Sequence, residues 1–245
     1  YGEAYGWYTA DDAEPICAKI ERLGTLPFVR QPGEAWIYGY STDILGCVVE
    51  RASGTPLDRF IHEWITEPLG MADTYFYLPP EKADRMATVY APDSVDLAAR
   101  APESARGQGH YVVGPRISFA GGAGLLSTAR DYARFLEMLR NGGELDGVRI
   151  LAPQTVALMT TNQVGELRGS NGLGFGLGFE TVDRLGASGF SSEGNFGWSG
   201  AYGSSYEVDP SRRLVIVLML QLVPFEGLGI RDSLETAVYQ ALITP

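Results

Sequence analysis

A chain of 245 residues with 45% hydrophobic and 20% charged residues has the composition of an ordinary folded protein, long enough to bury a sizeable core. Its formal net charge of −11, with Lys19 and Lys82 as the only lysines, repels phosphate backbones and argues against nucleic acid as a partner. The most apolar run, residues 214–220, is about a third of the length that crosses a bilayer, so no membrane span is expected.

The first residue, Tyr1, is not a methionine, and we expect the natural start of the gene product to lie upstream of it. A helix is predicted over residues 12–23, with an Asp12 cap, Pro15 in its first turn, Gly24 past its end, and Ile16, Ile20 and Leu23 on one face. After a loop over residues 27–34, Ile44, Leu45, Val48, Val49 and Ala52 recur at helical spacing up to Gly54. Leu57, Phe60, Ile61 and Trp64 form a second stripe, so two packed helices are expected. Cys17 and Cys47 fall in these helical patterns with no CxxC and no histidine at ligand spacing, and read as two isolated buried thiols. They do not fix a redox compartment; the cytoplasm is favoured over the periplasm, with the compartment left open.

Residues 79–115 lack sustained periodicity and read as a long irregular surface excursion of the kind that selects substrates. Thr128 and Asp131 make a capping-box pattern ahead of Tyr132, Phe135, Leu136 and Leu139, a helix closed by Asn141-Gly142, and Pro153 opens another carrying Val156 and Met159. Beyond Ser170 the period becomes strand-like: Leu173, Phe175, Leu177 and Phe179 alternate with glycines, whose bare face must receive something packed close against it. Residues 204–208, a turn at 209–212 and residues 213–221 predict an antiparallel hairpin, and a last helix from about Asp232 should lie on the sheet. Residues 1–170 thus form a mainly helical region and residues 171–245 the strands and terminal helix. Together they make an α/β (α+β) arrangement, an antiparallel sheet flanked by helices.

The glycines at 172, 174, 176 and 178 never complete GxGxxG and no P-loop is present, so nucleotide sites are unsupported. Gly-Tyr-Ser at 39–41 and Gly-Trp-Ser at 197–199 begin a nucleophile elbow, but Asp43 and Ala201 stand where its last glycine belongs. With His62 and His110 the only histidines, a Ser-His-Asp triad has few candidates and a multi-histidine metal site none.

Several motifs in register carry a family resemblance. Pro32-Gly33-Glu34-Ala35-Trp36-Ile37-Tyr38, Asp43-Ile44-Leu45-Gly46, Ser53-Gly54-Thr55-Pro56-Leu57 and Glu67-Pro68-Leu69-Gly70-Met71-Ala72-Asp73-Thr74 are followed by Gly121-Gly122-Ala123-Gly124-Leu125-Leu126-Ser127-Thr128, Asn141-Gly142-Gly143-Glu144-Leu145-Asp146-Gly147 and Gly197-Trp198-Ser199-Gly200-Ala201-Tyr202-Gly203. The chain resembles the serine hydrolases of the β-lactamase-like, penicillin-recognising superfamily, above all the family VIII esterases related to class C β-lactamases.

The resemblance implies a β-lactamase-like fold, of which the chain is one incomplete domain, and an acyl-enzyme mechanism on small esters or amides without metal or organic cofactor. A serine and a lysine one helical turn apart act in such enzymes with a tyrosine that exchanges protons. A phenol has an ordinary pKa of about 10, so a nearby positive potential must favour its phenolate. Tyr38 matches that tyrosine, with Tyr40 as the fallback. Trp198, Ser199 and Gly200 occupy the place of the Lys-Thr-Gly strand motif, and the Ala201 N–H matches the oxyanion donor. Trp198 and Tyr40 would shape the acyl pocket. Tyr40 replaces an asparagine common in β-lactamases, and Trp198 removes a cation that would hold a substrate carboxylate, so neutral esters are favoured over β-lactams. Three residues before Lys19 and Lys82 stand Ile16 and Pro79, so no SxxK exists here, and the expected partner is an N-terminal segment of the same precursor that carries it. Rival readings are a D-aminopeptidase, an acyltransferase, a weak β-lactamase or a catalytically dead binding or regulatory relative; a homo-oligomer stays open.

Overall fold

Helices form where the apolar spacing places them. In the computed structural model, which describes residues 13–91, 99–101, 110–225 and 227–242, α1 (Ile16–Leu23) is followed by α2 (Ser41–Ser53). The proposed cap Asp12 lies outside the described residues; Pro15 precedes the first turn and its carbonyl accepts the Ala18 N–H at 3.1 Å. Gly54 ends α2 at φ 69°, a left-handed conformation that suits a residue without a Cβ. Next, α3 (Leu57–Ile61) runs into a wider π-helical turn at His62–Thr66, and the Glu50 carboxylate accepts the Leu57 N–H at 2.9 Å.

Packing of α1 on α2 corrects the cysteine reading. Cys17 and Cys47 are joined in a disulfide, with Cα atoms 5.1 Å apart and a sequence separation of 30. The pattern that put each on a helix said nothing of how the helices pair, and tertiary pairing is what brings the two sulfurs together.

The chain separates into two compact units, residues 1–31 with 37–128 and residues 32–36 with 129–245. The first holds α1 to α3 and a core in which Phe119 meets Phe76 and Tyr77 edge-on at 5.5 and 5.9 Å, beside Leu57. The stretch predicted as irregular is more ordered than expected. Its described part contains a 3₁₀ helix at Pro80–Arg85 and a two-stranded ribbon, β1 (Tyr90–Ala91) with β2 (Ala99–Arg100). The 3₁₀ helix is tied down electrostatically: Arg85 and Lys82 both reach Asp73, Lys82 at 2.7 Å, and hold its carboxyl well below the usual range. Two cations on one carboxylate give order without the apolar period that sequence reading depends on.

In the second unit α4 (Ala129–Arg140) and α5 (Pro153–Met159) flank a small ribbon, β3 (Glu144–Leu145) with β4 (Val148–Arg149). Five antiparallel strands follow in sequence order, β5 (Leu173–Phe175), β6 (Glu180–Val182), β7 (Phe196–Ser199), β8 (Ser205–Asp209) and β9 (Leu214–Leu218), and α6 (Ile230–Ala241) ends the unit. The alternation read as one strand over residues 173–179 folds instead as β5 and a tight reversal, because Gly178 adopts φ 99° and the Gly176 N–H reaches the Phe179 carbonyl at 2.7 Å. The bare-face expectation holds: a side chain on Gly174 would collide with Asn162, and one on Gly176 with the Met159 carbonyl.

Register sets the two faces of this sheet. Phe196 pairs with Val208 and Trp198 with Tyr206, and on that side Tyr132 of α4 meets Tyr206 edge-on at 5.1 Å. Glu207 and Asp209 point the other way, toward α6, where the Tyr239 hydroxyl lies 2.8 and 3.0 Å from their oxygens and Ser191 and Asn195 also donate to Glu207. The terminal helix therefore lies on the sheet through a buried polar joint rather than an apolar one alone.

Candidate active site

Tyr38 and Tyr40 belong to the first unit, on the loop that enters α2, with Tyr40 at the N-cap. The Tyr38 ring is 67% exposed, so it is not packed into the interior. What fixes this entry is a glycine contact. The Gly122 N–H donates to Asp43 Oδ1 at 3.2 Å, Gly121 lies so close that an added Cβ would overlap the Thr42 carbonyl, and one on Gly46 would sit 2.9 Å from Leu57 and 3.0 Å from the Gly121 nitrogen. Two of the family-like motifs thus meet as a backbone-on-helix lock that only glycine permits.

Burial of Asp43 lifts its carboxyl above the usual range, against the pull of the Gly122 N–H. Burial, then the neighbouring Asp43, lifts the Tyr40 phenol as well. Both effects keep Tyr40 protonated, the wrong direction for a base. Beyond them on α2, Ile44, Leu45 and Val48 form an exposed apolar patch.

Trp198, Ser199, Gly200 and Ala201 belong to the second unit, at the end of β7 and the turn that follows. Gly197 is pressed against the Tyr206 carbonyl, where a Cβ would not fit. The Gly200 N–H donates to Ser204 at 2.7 Å and the Gly203 N–H to Gly200 at 3.0 Å, closing the turn around Ala201. The Ala201 N–H donates to no backbone carbonyl among the described residues, as an oxyanion donor requires. Ser199, Ser205, Leu220, Phe225 and Arg231 line a cavity of about 190 Å³ beside this turn.

Sequence reasoning missed Arg168. Its guanidinium lies 5.3, 5.8 and 5.6 Å from the ring centroids of Trp36, Phe175 and Trp198, is ion-paired to Glu180, and donates to the Gly174 carbonyl at 3.2 Å. The rings also touch one another, Trp36 to Phe175 at 5.3 Å and Phe175 to Trp198 at 5.0 Å. A lone arginine in a segment without periodicity gives no signal; only its neighbours reveal it. Among the described residues no three His, Cys, Asp or Glu side chains cluster as a metal site, and no helix is long and apolar enough to cross a membrane.

The family model described as Beta-lactamase matches residues 2–240. Protein Rv1367c of Mycobacterium tuberculosis is 38% identical over 218 residues, covering 84% of this chain and 53% of that protein. Esterase EstB of Burkholderia gladioli is 32% identical over 238 residues, covering 90% and 58%. Among solved structures, EstCE1, a hydrolase with promiscuous acyltransferase activity, superposes with a TM-score of 0.80 at 28% identity over 97% of this chain and 65% of that one. Simvastatin synthase from Aspergillus terreus superposes with a TM-score of 0.76 at 27% identity, over 93% and 62%. The chain therefore spans somewhat over half the length of these relatives. Since the match runs through both units and every motif singled out above, the chain belongs to the beta-lactamase family, with the β-lactamase-like fold and esterase relatives.

Proposed function

We propose that the protein is an acyl-enzyme hydrolase of small carboxylic esters or amides, with its nucleophilic serine and the accompanying lysine carried by a segment outside these 245 residues. The observation that carries the reading is the match to an esterase and to a hydrolase with acyltransferase activity across both motif-bearing regions. Tyr38 takes the serine proton as the hydroxyl adds to the substrate carbonyl, and returns it to the departing alkoxide or amine. Ala201 donates its N–H to the oxyanion, and Trp198, Ser199, Gly200 and Tyr40 contact the acyl group. Water then hydrolyses the acyl-enzyme through the same tyrosine. The exposed Tyr38 ring and an Ala201 N–H that donates to no backbone carbonyl among the described residues support these roles, and the exposed apolar patch on α2 supports the docking of a further segment.

Acyl transfer to an alcohol instead of water is the second reading, favoured by the solved structure described as a hydrolase with promiscuous acyltransferase activity. The test joins the chain to a serine- and lysine-bearing segment. Fluorophosphonate labelling is measured together with turnover of short-chain chromogenic esters, a cephalosporin chromophore and D-aminoacyl amides, with and without an added alcohol. Labelling and ester turnover are expected; a preparation in which no polypeptide is labelled defeats the proposal.

A further inference from the structure

We infer that Arg168 is a positioning residue for this reaction: its guanidinium clamps Trp36, two residues before Tyr38, to Trp198, three residues before Ala201. The inference rests on the function proposed above. Every contact behind it lies within the second unit, to which residues 32–36 belong although the chain on either side of them does not.

Three independent contacts pin that short segment. Trp36 donates its backbone N–H to the Leu167 carbonyl at 3.4 Å, its ring meets Phe175 at 5.3 Å, and Arg168 lies over the ring at 5.3 Å. The same guanidinium lies 5.6 Å from Trp198. Glu180 and the Gly174 carbonyl fix its orientation from β6 and β5, and both partners of the ion pair are largely buried, at 18% and 15% exposure. A planar, permanently charged group with five donors can face three rings while holding a carboxylate and a carbonyl. A lysine could keep the charge but not the geometry. Trp198 stands where the family resemblance puts a lysine, so the strand keeps a cation beside it, delivered from another segment and neutralised by Glu180 rather than offered to substrate.

Near-attack geometry is steep in distance: a displacement of about 1 Å can cost on the order of 10²-fold in rate. Releasing Trp36 from Trp198 should therefore slow chemistry while leaving substrate affinity nearly intact. The test compares Arg168→Ala, Arg168→Lys and Glu180→Gln with the unaltered protein, complete with its serine- and lysine-bearing segment. Rates are taken per active site by fluorophosphonate titration, and tryptophan fluorescence reports the release of the cage. We expect kcat per labelled site to fall roughly 10- to 100-fold in Arg168→Ala with KM within about threefold, with a smaller loss in Arg168→Lys. A residue that served only folding would lower the labelled fraction and leave the rate per labelled site unchanged, and that result overturns the inference. An unaltered protein that neither labels nor turns over ester overturns the function itself, and this inference with it.

Discussion

In the proposed reaction a phenol and an amide act on the substrate and a guanidinium positions them, and the three differ in how visible they are in the sequence. Tyr38 was legible because it stands in a run of motif residues, and Ala201 because it follows Trp198-Ser199-Gly200. Arg168 had no such context; its role exists only once Trp36, Phe175 and Trp198, distant in sequence, are adjacent in space. If Tyr38 moves the proton, Tyr38→Phe should lower kcat by about 10²- to 10⁴-fold with KM little changed, whereas Tyr40→Phe should cost far less; steady-state ester hydrolysis distinguishes them. Asp43 gives a pH prediction. Its carboxyl is raised by burial above the unfolded value of about 3.9, so the native state holds that proton more tightly. The associated stability is present below the unfolded pKa and lost as pH rises through the raised value. Asp43→Asn retains an oxygen for the Gly122 N–H and removes the charge. Its urea midpoint relative to the unaltered chain should therefore climb with pH from about 4 upward and then level off.

Helices and strands were read to different depths. The apolar period placed α2 and α4 within a few residues, since each carries its signal in its own sequence. The excursion over residues 79–115 hid its 3₁₀ helix because Lys82 and Arg85 on Asp73, not a greasy stripe, hold it in place. The strand predicted over residues 173–179 was cut short because a glycine that fits a bare face also fits a reversal, and Gly178 takes the second role. At the entrance to α2 the contact between Gly121 and Thr42 leaves no room for a methyl group. Gly121→Ala should destabilise the protein by about 1–3 kcal/mol, the usual cost of overpacking, and disturb Tyr38 by shifting the helix it precedes. Chemical denaturation reads the first effect and ester turnover per labelled site the second.

For the molecule as a whole, family membership was accessible because its motifs keep their order from the first unit through the second, and the match over residues 2–240 spans both. The disulfide was not, because pairing two cysteines requires the packing of α1 on α2. Closing a loop of about 30 residues restricts the unfolded chain by roughly 3–4 kcal/mol in the chain-entropy model, so thiol treatment should lower the denaturation midpoint of the oxidised protein. Cys17→Ser with Cys47→Ser should reproduce that shift and abolish the response to reductant. A midpoint that does not move with either change would show that the bridge contributes no stability.

The bridge also determines what a protease can release. Residues 27–34 lie inside the covalent ring it closes, and Phe28, Val29 and Arg30 are exposed on the way to Tyr38. A tryptic cut after Arg30 would open the ring without parting the chain. The nicked protein should run as one species on a non-reducing gel and release the piece that ends at Arg30 only when thiol is added.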